Sequence, residues 1–347
     1  MKIGILLSGG IDSMMAARLL LEQGHEVCGI TMITQPHFDL APAEKAARWL
    51  GIRHETVDFT ALFREKVMDY FCASYEKGET PNPCVVCNQT VKLGALLDYA
   101  RAIGCEKAAT GHYARIAFLP EKARYALLKG VDSRKDQSYF LYRLPQEALR
   151  HLLFPLGGFT KAEVRRQAEE WQFPSFVTQS RESQEICFIP GDYRDFIREK
   201  VRAQPGDFVD ENGKVLGKHT GIPFYTVGQR KGLGISAPHP LYVLKLYPGS
   251  NRILLGKNEQ LFRSECIVRD CVWNDPEAIP STAAVKIRYA AAPIAASIEI
   301  PPANPERTPD AVRVKFTSPQ RAITPGQSAV FYDGDRVVGG GILSRAK

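Results

Sequence analysis

The chain has 347 residues, of which 44% are hydrophobic and 24% charged, as in a globular protein with more than one core. It holds no run of 18 apolar residues and no secretory leader pattern, so we expect a cytoplasmic protein without a membrane-spanning helix. The net charge of +7 falls entirely on residues 200–347, here called the rear half, because residues 1–199 hold 25 basic and 25 acidic side chains. This asymmetry favours a rear half that binds a polyanion; the alternative is an ordinary basic surface in contact with solvent.

The chain opens with an apolar strand, Lys2–Leu7, and an apolar helix, Ile11–Gln23, which Gly24 is placed to end. Between them lies the loop Ser8-Gly9-Gly10-Ile11-Asp12-Ser13. Backbone N–H groups at a helix N-terminus favour an anion, glycines allow its close approach, and serine hydroxyls add donors. The loop lacks the spacing of a Walker loop and of a dinucleotide fold. We therefore predict a phosphate site of another class.

The rest of the front half alternates strands and helices. The predicted strands are Val27–Ile33, His54–Val57 and Lys107–Thr110, and the predicted helices are Ala43–Leu50, Thr60–Tyr75 with Thr60 as N-cap, Val91–Ile103 and Thr160–Glu170. This alternation predicts an α/β domain with a mostly parallel sheet and helices on both faces. Ligands bind such sheets beyond the carboxyl ends of the strands, where the loops 8–13, 32–37 and 111–115 lie.

The rear half differs from the front half in composition and in the length of its apolar runs. From about residue 206 glycine and proline are frequent, and from about residue 283 the apolar runs are short and strand-like. Five strands are predicted there: Ala284–Tyr289, Ala295–Ile300, Ala311–Phe316, Ser328–Tyr332 and Arg336–Leu343. Short strands separated by turns indicate a small β-barrel or sandwich. We predict three domains, with boundaries at 1–200, 201–280 and 281–347.

Eight cysteines are present, and in a cytosolic protein they are not expected to form a disulfide framework. Cys28 and Cys105 fall in apolar patterns, which predicts that they are buried in the core. The pair Cys84-x-x-Cys87 differs, because asparagine and prolines precede it.

The loop 8–13 resembles the pyrophosphate (PP) loop of ATP pyrophosphatases, which cut ATP between its α- and β-phosphates and adenylate a carbonyl oxygen. Seven further segments, in order, resemble the tRNA-specific 2-thiouridylases: TPNPCVVCNQTVKLGAL (80–96), ATGHYAR (109–115), KDQSYFLYRL (135–144), ICFIPG (186–191), HTGIPFYTVGQRKGLGI (219–235), KIRY (286–289) and PQRAITPGQSAVFYDG (319–334). The resemblance implies a Rossmann-like PP-loop domain, a small central domain and a C-terminal β-barrel. It also implies ATP- and Mg²⁺-dependent 2-thiolation of the wobble uridine, position 34, of tRNA.

The resemblance also assigns site residues. ATP contacts are implied for Leu6, Leu7, Ser8, Gly9, Gly10, Ile11, Asp12, Ser13, Met32 and Gly111. Contacts with tRNA are implied for Asn82, Pro83, Cys84, His112, Lys135, Asp136, Gln137, Arg288, Tyr289 and Gln327. Arginine and tyrosine suit phosphate contact and base stacking in an unpaired anticodon loop.

The chemistry calls for sulfur nucleophiles. The uracil C2 oxygen is a poor leaving group until adenylation converts it to AMP, and a thiolate or persulfide can then attack C2. Releasing sulfur from a persulfide needs a second thiol. By the resemblance, Cys187 carries the persulfide and Cys87 resolves it, which forms a Cys87–Cys187 disulfide in turnover.

One position departs from the family. The usual segment is Asn-Pro-Asp-x-x-Cys, whereas this chain reads Asn82-Pro83-Cys84-Val85-Val86-Cys87. Three thiols, Cys84, Cys87 and Cys187, are enough to hold a 4Fe–4S cluster with one iron open to sulfide. Zinc is less attractive because no fourth ligand is evident. The alternatives are a spare thiol at residue 84 or a Cys84–Cys87 redox pair.

Two rival functions stay open at the level of sequence. Another PP-loop enzyme of tRNA, such as a lysidine synthetase, would not need paired cysteines, and a catalytically inactive tRNA-binding protein would not need an intact phosphate loop. The expected partners are tRNA and a sulfur donor, either a sulfur-carrier protein or inorganic sulfide, with no membrane. A monomer is expected. The identity of the donor and the preferred tRNAs are not specified by the residues.

Overall fold

The computed structural model describes residues 1–178, 186–189, 191–300 and 309–344. The chain divides into two compact units. The first unit comprises residues 1–67, 84–185 and 334–337, and the second comprises residues 68–83, 186–333 and 338–347. The chain therefore passes from the second unit back to the first between Pro83 and Cys84.

The helices and strands are as follows. The α-helices in the described ranges are α1 (Ile11–Glu22), α2 (Ala41–Leu50), α3 (Thr60–Phe63), α4 (Asp69–Glu76), α5 (Pro83–Cys87), α6 (Leu96–Ala102), α7 (Gln146–His151), α8 (Lys161–Glu170), α9 (Ser175–Thr178) and α10 (Tyr193–Lys200). The strands are β1 (Lys2–Leu6), β2 (Glu26–Ile33), β3 (Arg53–Asp58), β4 (Lys107–Ala109), β5 (Ala114–Leu119), β6 (Arg124–Lys129), β7 (Leu152–Leu153), β8 (Gly206–Val209), β9 (Val215–His219), β10 (Tyr242–Tyr247), β11 (Arg252–Gly256), β12 (Phe262–Trp273), β13 (Thr282–Lys286), β14 (Ile294–Glu299), β15 (Ala311–Arg321), β16 (Ser328–Asp333) and β17 (Arg336–Leu343). None of the helices in these ranges is long and apolar enough to cross a bilayer.

The first unit is built on a five-stranded parallel sheet with the order β3-β2-β1-β4-β7. The parallel sheet predicted from the alternating pattern is confirmed. Ile3 and Ile5 of β1 are fully buried and pack in one cluster with Met14 and Ala17 of α1. A central strand covered on both faces is expected to carry a continuous apolar run, as β1 does from Ile3 to Leu6. This packing fixes the loop that joins β1 to α1.

Two predicted helices have a different construction. The segment predicted as one helix, Thr60–Tyr75, is α3, a π-helical stretch at Arg64–Met68, and α4. Thr60 does not cap it; instead the Asp58 carboxylate accepts a hydrogen bond from the Thr60 amide at 2.8 Å. The prediction was wrong here because Asp and Thr are both good caps, and the pattern does not choose between them.

The second difference concerns the cysteine motif. The helix predicted at Val91–Ile103 begins eight residues earlier, at Pro83, and runs through α5, a π-helical stretch at Asn88–Ala95, and α6. Proline at the first turn of a helix is favourable, because its missing N–H has no intrahelical partner there. Cys84 and Cys87 therefore lie on a helix.

The second unit contains two β structures. A four-stranded sheet has the order β10-β11-β8-β9, and six strands, β12-β15-β14-β13-β16-β17, close into a barrel through pairing of β12 with β17. Five of the six barrel strands follow the predicted runs. The sixth, β12, begins at Phe262, before the predicted boundary at residue 281. Its sequence, FRSECIVRDCVW, has two apolar runs of three residues separated by Arg269-Asp270, and each run is shorter than the four to eight residues of a strand signal.

Candidate active site

The loop after β1 has the form of an anion site. Gly10 precedes α1 and no side chain caps the first turn of that helix. Ser13 Oγ accepts hydrogen bonds from the Ser8 amide and hydroxyl, both at 3.2 Å, and donates to the Gly10 carbonyl at 2.9 Å. Gly9 has a φ of +79°, and an added Cβ would lie 2.4 Å from the carbonyl carbon of Pro42. Only glycine fits there, and the loop is fixed with its helix N-terminus open.

Asp12, in the first turn of α1, is paired with a buried lysine. Lys161 Nζ donates to both carboxylate oxygens of Asp12, at 2.7 and 2.8 Å, and the Tyr113 hydroxyl donates to Oδ1 at 2.7 Å. The Lys161 side chain is only 9% exposed, against 35% for Asp12. The Thr160 N-cap, with its capping box to Glu163, sets the start of α8 and thereby the position of Lys161. Lys161 balances the Asp12 carboxylate, so that this acidic side chain does not cancel the attraction of the helix N-terminus for phosphate.

The loop after β4 contacts the first turn of α1, next to the phosphate loop. An added Cβ on Gly111 would lie 2.8 Å from the backbone carbon of Asp12. The half-buried His112 bonds the Thr110 hydroxyl through Nδ1 at 2.6 Å and packs edge-on against Phe154. Burial, reinforced by the charge of Lys92, lowers the pKa of His112 to about 3. His112 is therefore a neutral imidazole near the phosphate loop.

The remaining residues predicted to contact ATP lie at the ends of β1 and β2. Met32, near the end of β2, is half-buried. Leu7 is fully buried; its amide donates to the Ile30 carbonyl at 2.9 Å and its carbonyl accepts from the Thr31 hydroxyl at 2.6 Å. Leu7 therefore supports the loop through its backbone and side chain. Leu6, half-buried, ends β1.

The cysteine motif of the first unit places one thiol outside and one inside. Cys84 is exposed on α5, and Cys87, one turn on, is 5% exposed. Asn88 follows at the start of the π-helical stretch; its Nδ2 donates weakly to the Phe140 carbonyl at 3.4 Å, and its Oδ1 is buried without a hydrogen-bond partner. π-Helical turns are rare and frequent at functional sites. The thiol of Cys87 is therefore shielded from water, whereas that of Cys84 is accessible to it.

Cys187 lies in the second unit and is exposed. Its neighbours Phe188 and Ile189 are buried, and Phe188 packs edge-on against Phe71 and Phe196 at centroid distances of 5.5 Å. The aromatic contacts fix the backbone while the thiol faces solvent. None of the eight cysteines forms a disulfide, so the predicted Cys87–Cys187 disulfide is not formed in this structure. Cys28 and Cys105 are buried, as predicted.

The predicted loop 135–137 is tied to the nucleotide side of the first unit. Gln137 Oε1 accepts from the Tyr113 amide at 2.9 Å, and the Gln137 amide donates to the Tyr113 carbonyl at 2.8 Å. Asp136 is buried, and its carboxylate accepts from Gly130 and twice from Ser138 at 3.0–3.1 Å. Asp136 and Gln137 thus shape the loop, whereas Lys135 beside them is half-buried.

The other residues predicted to contact tRNA lie in the second unit. Asn82 is half-buried and Pro83 buried, immediately before the cysteine motif. Tyr289 lies beneath the Lys286 ammonium, which is 5.4 Å from the ring centroid.

The side chains of Arg288 and Gln327 are held by hydrogen bonds. Arg288 donates from Nη2 to the Ala322 carbonyl and to Thr324 Oγ1. Gln327 donates from Nε2 to the Thr80 and Pro81 carbonyls. Both side chains are therefore engaged with backbone or hydroxyl groups of their own unit.

Sequence reasoning missed Lys161 and Tyr113. Neither has a local signal, since they lie 149 and 101 positions from Asp12. The capping box of Thr160 and Glu163 was the nearest hint, because it placed the start of a helix beside Lys161. The predicted metal centre is not supported either: within the described ranges, no three His, Cys, Asp or Glu side chains are placed to hold a metal ion.

Three family profiles match the chain in succession. They are described as a tRNA methyl transferase HUP domain over residues 1–191, a tRNA methyl transferase PRC-barrel domain over residues 194–257, and an aminomethyltransferase beta-barrel domain over residues 263–343. The first match alone spans more than half of the chain and includes the phosphate loop and the Cys84-x-x-Cys87 motif.

Relatives match over the full length. The chain is 50% identical over 349 residues to the tRNA-specific 2-thiouridylase MnmA of Syntrophomonas wolfei, covering 99% of this chain and 100% of the relative. It is 43% identical over 365 residues to the protein of the same name from Carboxydothermus hydrogenoformans, covering 99% and 98%. A third, from Moorella thermoacetica, is 45% identical over 361 residues and is covered to 98%, as is this chain.

Proposed function

The chain belongs to the family of tRNA-specific 2-thiouridylases, ATP-using PP-loop enzymes that thiolate tRNA, and from this premise we propose how its residues carry the reaction. The target is the C2 carbonyl of the wobble uridine at position 34 of tRNA. The single observation that best supports the proposal is the fixed loop 8–13, with an uncapped helix N-terminus beside the buried Asp12–Lys161 pair.

The first step is adenylation. The uracil O2 attacks the α-phosphorus of ATP, the bond to the β-phosphate breaks, and pyrophosphate leaves. Backbone amides of Gly9, Gly10 and Ile11 hold the departing pyrophosphate, because they supply donors where negative charge develops. The hydroxyls of Ser8 and Ser13 donate to it after rotating away from their present acceptors. Lys161 balances the charge of the Asp12 carboxylate, which limits the repulsion between that carboxylate and the pyrophosphate. Met32 and Gly111 line the path of the nucleoside.

Sulfur transfer follows. A persulfide on Cys187 attacks C2 and expels AMP, so that the base is joined to Cys187 through a disulfide-type S–S bond. The Cys87 thiolate then attacks Sγ of Cys187, which releases the thiolated base and leaves a Cys87–Cys187 disulfide. An external thiol reductant restores both cysteines. Because Cys187 is exposed, a sulfur donor can reach its thiol. Because Cys87 is buried, its thiol is protected until tRNA is bound.

Contacts with tRNA are proposed for both units. The proposed contacts in the first unit are Cys84, His112 and Lys135, with Asp136 and Gln137 shaping the loop of Lys135. Those in the second unit are Asn82, Pro83, Arg288, Tyr289 and Gln327. The excess of basic residues in 200–347 supports phosphate contact by the rear half. A monomer and a cytoplasmic location, where tRNA is found, belong to the same proposal.

A magnesium ion is proposed to arrive with the nucleotide. Asp12, in the first turn of α1, already accepts three hydrogen bonds, two from Lys161 and one from Tyr113, so a metal ion at its carboxylate would compete with those donors.

The test of this function is a turnover assay. Purified protein, ATP and unmodified tRNA with a sulfide or persulfide source should yield AMP and pyrophosphate that depend on tRNA. Asp12→Ala or Ser13→Ala should abolish AMP formation while tRNA still binds. Ordinary AMP production by either variant would mean that the loop does not hold the pyrophosphate.

A further inference from the structure

The segment Gly78–Pro83, here called the crossing segment, leads into the cysteine motif. It belongs to the second unit, and the next residue, Cys84, belongs to the first. α5 begins at Pro83, so whatever holds the crossing segment also sets the point from which the helix carrying Cys84 and Cys87 starts. The contacts of this segment inside the second unit are therefore relevant to the thiols that follow it.

An ion pair from the barrel holds the start of the crossing segment. Arg269 Nη2 donates to both carboxylate oxygens of Glu79, at 3.1 and 2.9 Å. The Glu79 side chain is 18% exposed, which limits the screening of the pair by water. Arg269 lies on β12 where the pairing with β17 shifts register, and a bulge of this kind re-aims a side chain.

A turn of the barrel, residues 322–327, holds the middle of the crossing segment. The Thr80 amide donates to the Pro325 carbonyl at 2.8 Å, and Gln327 Nε2 donates to the carbonyls of Thr80 and Pro81 at 3.0 and 3.2 Å. Gly326 has a φ of +91°, and an added Cβ would lie 2.8 Å from the Thr80 amide nitrogen. The turn and the segment are therefore in backbone-to-backbone contact.

The same turn is held from its other end by Arg288. Its Nη2 donates to the Ala322 carbonyl and, at 3.1 Å, to Thr324 Oγ1. Ile323 of the turn packs against the apolar core of the barrel, and Gly78, Ala322 and Pro325 border a cavity of about 470 Å³. The packing of Ile323 and the polar contacts from Arg288, Gln327 and Arg269 therefore together define the position of the turn and the crossing segment.

We propose that turn 322–327 and the Arg269–Glu79 pair form a positioning device that sets the place of Cys84 and Cys87, and that tRNA engaging Arg288 or Gln327 acts on those thiols through it. The inference rests on the proposed function of Cys87. Both arginine and glutamine are residue types that bind nucleic-acid phosphates and bases. A ligand that recruits Arg288 or Gln327 away from the turn changes the hold on the crossing segment, and small displacements of a reacting group change rates strongly.

The test uses the full-length protein and two readouts. In the wild type, tRNA should change the alkylation rates of Cys84 and Cys87, measured by mass-spectrometric mapping, and 2-thiouridine should form. Glu79→Gln should lower the kcat of thiolation by about tenfold or more, change the KM for tRNA by less than about threefold, and remove the tRNA-dependent change in alkylation. Because this substitution makes the protein more basic, weaker attraction for tRNA cannot explain the loss.

Matched controls come from another barrel ion pair. Lys315 and Glu299 pair at 2.7 Å and do not touch the crossing segment, so Glu299→Gln and Lys315→Gln make the same charge changes as Glu79→Gln and Arg269→Gln. The controls should behave as wild type, Arg269→Lys should recover part of the kcat, and the double variant Glu79→Gln, Arg269→Gln should be no worse than either single variant. Melting temperatures verify that each variant is folded.

Two outcomes separate this inference from the function on which it rests. If Glu79→Gln and Arg269→Gln match their controls in kcat and in the response of alkylation to tRNA, the positioning device is refuted. If the wild type forms no 2-thiouridine although alkylation still responds to tRNA, the proposed function fails and the device stands.

Discussion

At the scale of single residues, the Asp12–Lys161 pair is the contact that the sequence could not predict. Asp12 belongs to a short contiguous loop, and loops of that kind are recognisable because helix N-terminus, glycines and hydroxyls are adjacent in the chain. Lys161 reaches the loop only because α8 packs beside α1, and nothing local marks that contact. The chemistry of the loop was therefore predictable, whereas its counter-charge was not.

Replacing Asp12 should show how much the Asp12–Lys161 pair contributes to the free energy of unfolding. Asp12→Asn removes the carboxylate that accepts two hydrogen bonds from the buried Lys161 ammonium, so we expect a loss of about 2 kcal/mol in the free energy of unfolding together with the loss of AMP formation. The double variant Asp12→Asn, Lys161→Met should regain most of the stability and remain inactive. Lys66→Met, at an exposed pair with Glu65, is the matched control. Urea titration would contradict the account if Asp12→Asn were as stable as that control.

Variants of the three cysteines Cys84, Cys87 and Cys187 should differ in activity. Cys87→Ala and Cys187→Ala should make no 2-thiouridine, because each lacks one sulfur of the relay, whereas Cys84→Ala should stay active without added iron. After a single turnover without reductant, peptide mapping of the wild type should find Cys87 joined to Cys187. An inactive Cys84→Ala protein, or one that regains activity only with iron, would refute the relay.

The neutral His112 should make stability depend on pH. Its pKa of about 3 lies below the ordinary 6.5, so between those values the unfolded chain binds a proton that the folded chain does not. The free energy of unfolding should therefore fall as pH falls from about 6.5 towards 3. His112→Asn should flatten this dependence between pH 7 and pH 5, measured by urea midpoints, while the exposed His239→Asn should not. Equal slopes in both variants would mean that His112 is not buried as a neutral ring.

At the scale of elements, local patterns were good guides where one face or one loop decided the structure. The strands of the parallel sheet and five barrel strands follow apolar runs. The sequence pattern failed at β12, where Arg269-Asp270 divide the apolar residues into two short runs, and at the π-helical stretches beside Phe63 and Cys87, which have no compositional signature. Those stretches depend on tertiary packing that a local pattern does not contain.

Gly9 in the phosphate loop and Gly24 after α1 are a matched pair of glycines. Gly9 and Gly24 have φ values of +79° and +77°, but an added Cβ meets Pro42 at Gly9 and no atom within 4 Å at Gly24. Gly24→Ala should cost about 1 kcal/mol from backbone conformation alone and leave AMP formation intact. Gly9→Ala should cost more and abolish AMP formation, because the loop must move. Equal stability and activity of the two variants would show that the close approach to Pro42 is unimportant.

At the scale of the whole molecule, the two compact units cut across the predicted boundaries, and the three domains stay a prediction. Residues 68–83, in the predicted first domain, belong to the second unit, so a cut near residue 200 would remove the structure that holds them. The chain enters the cysteine motif directly from a segment bound to the barrel. The charge asymmetry between the halves, by contrast, was readable from composition and fits a tRNA-binding rear half.

The most direct measurement of the central claim is mass spectrometry of nucleosides from tRNA treated with the purified protein. With ATP and a persulfide source, the wobble uridine should become 2-thiouridine, with one AMP formed for each thiolated base, and omission of ATP should stop both. A protein that consumes ATP in the presence of tRNA but leaves the wobble uridine unchanged, or modifies a cytidine instead, would contradict the account.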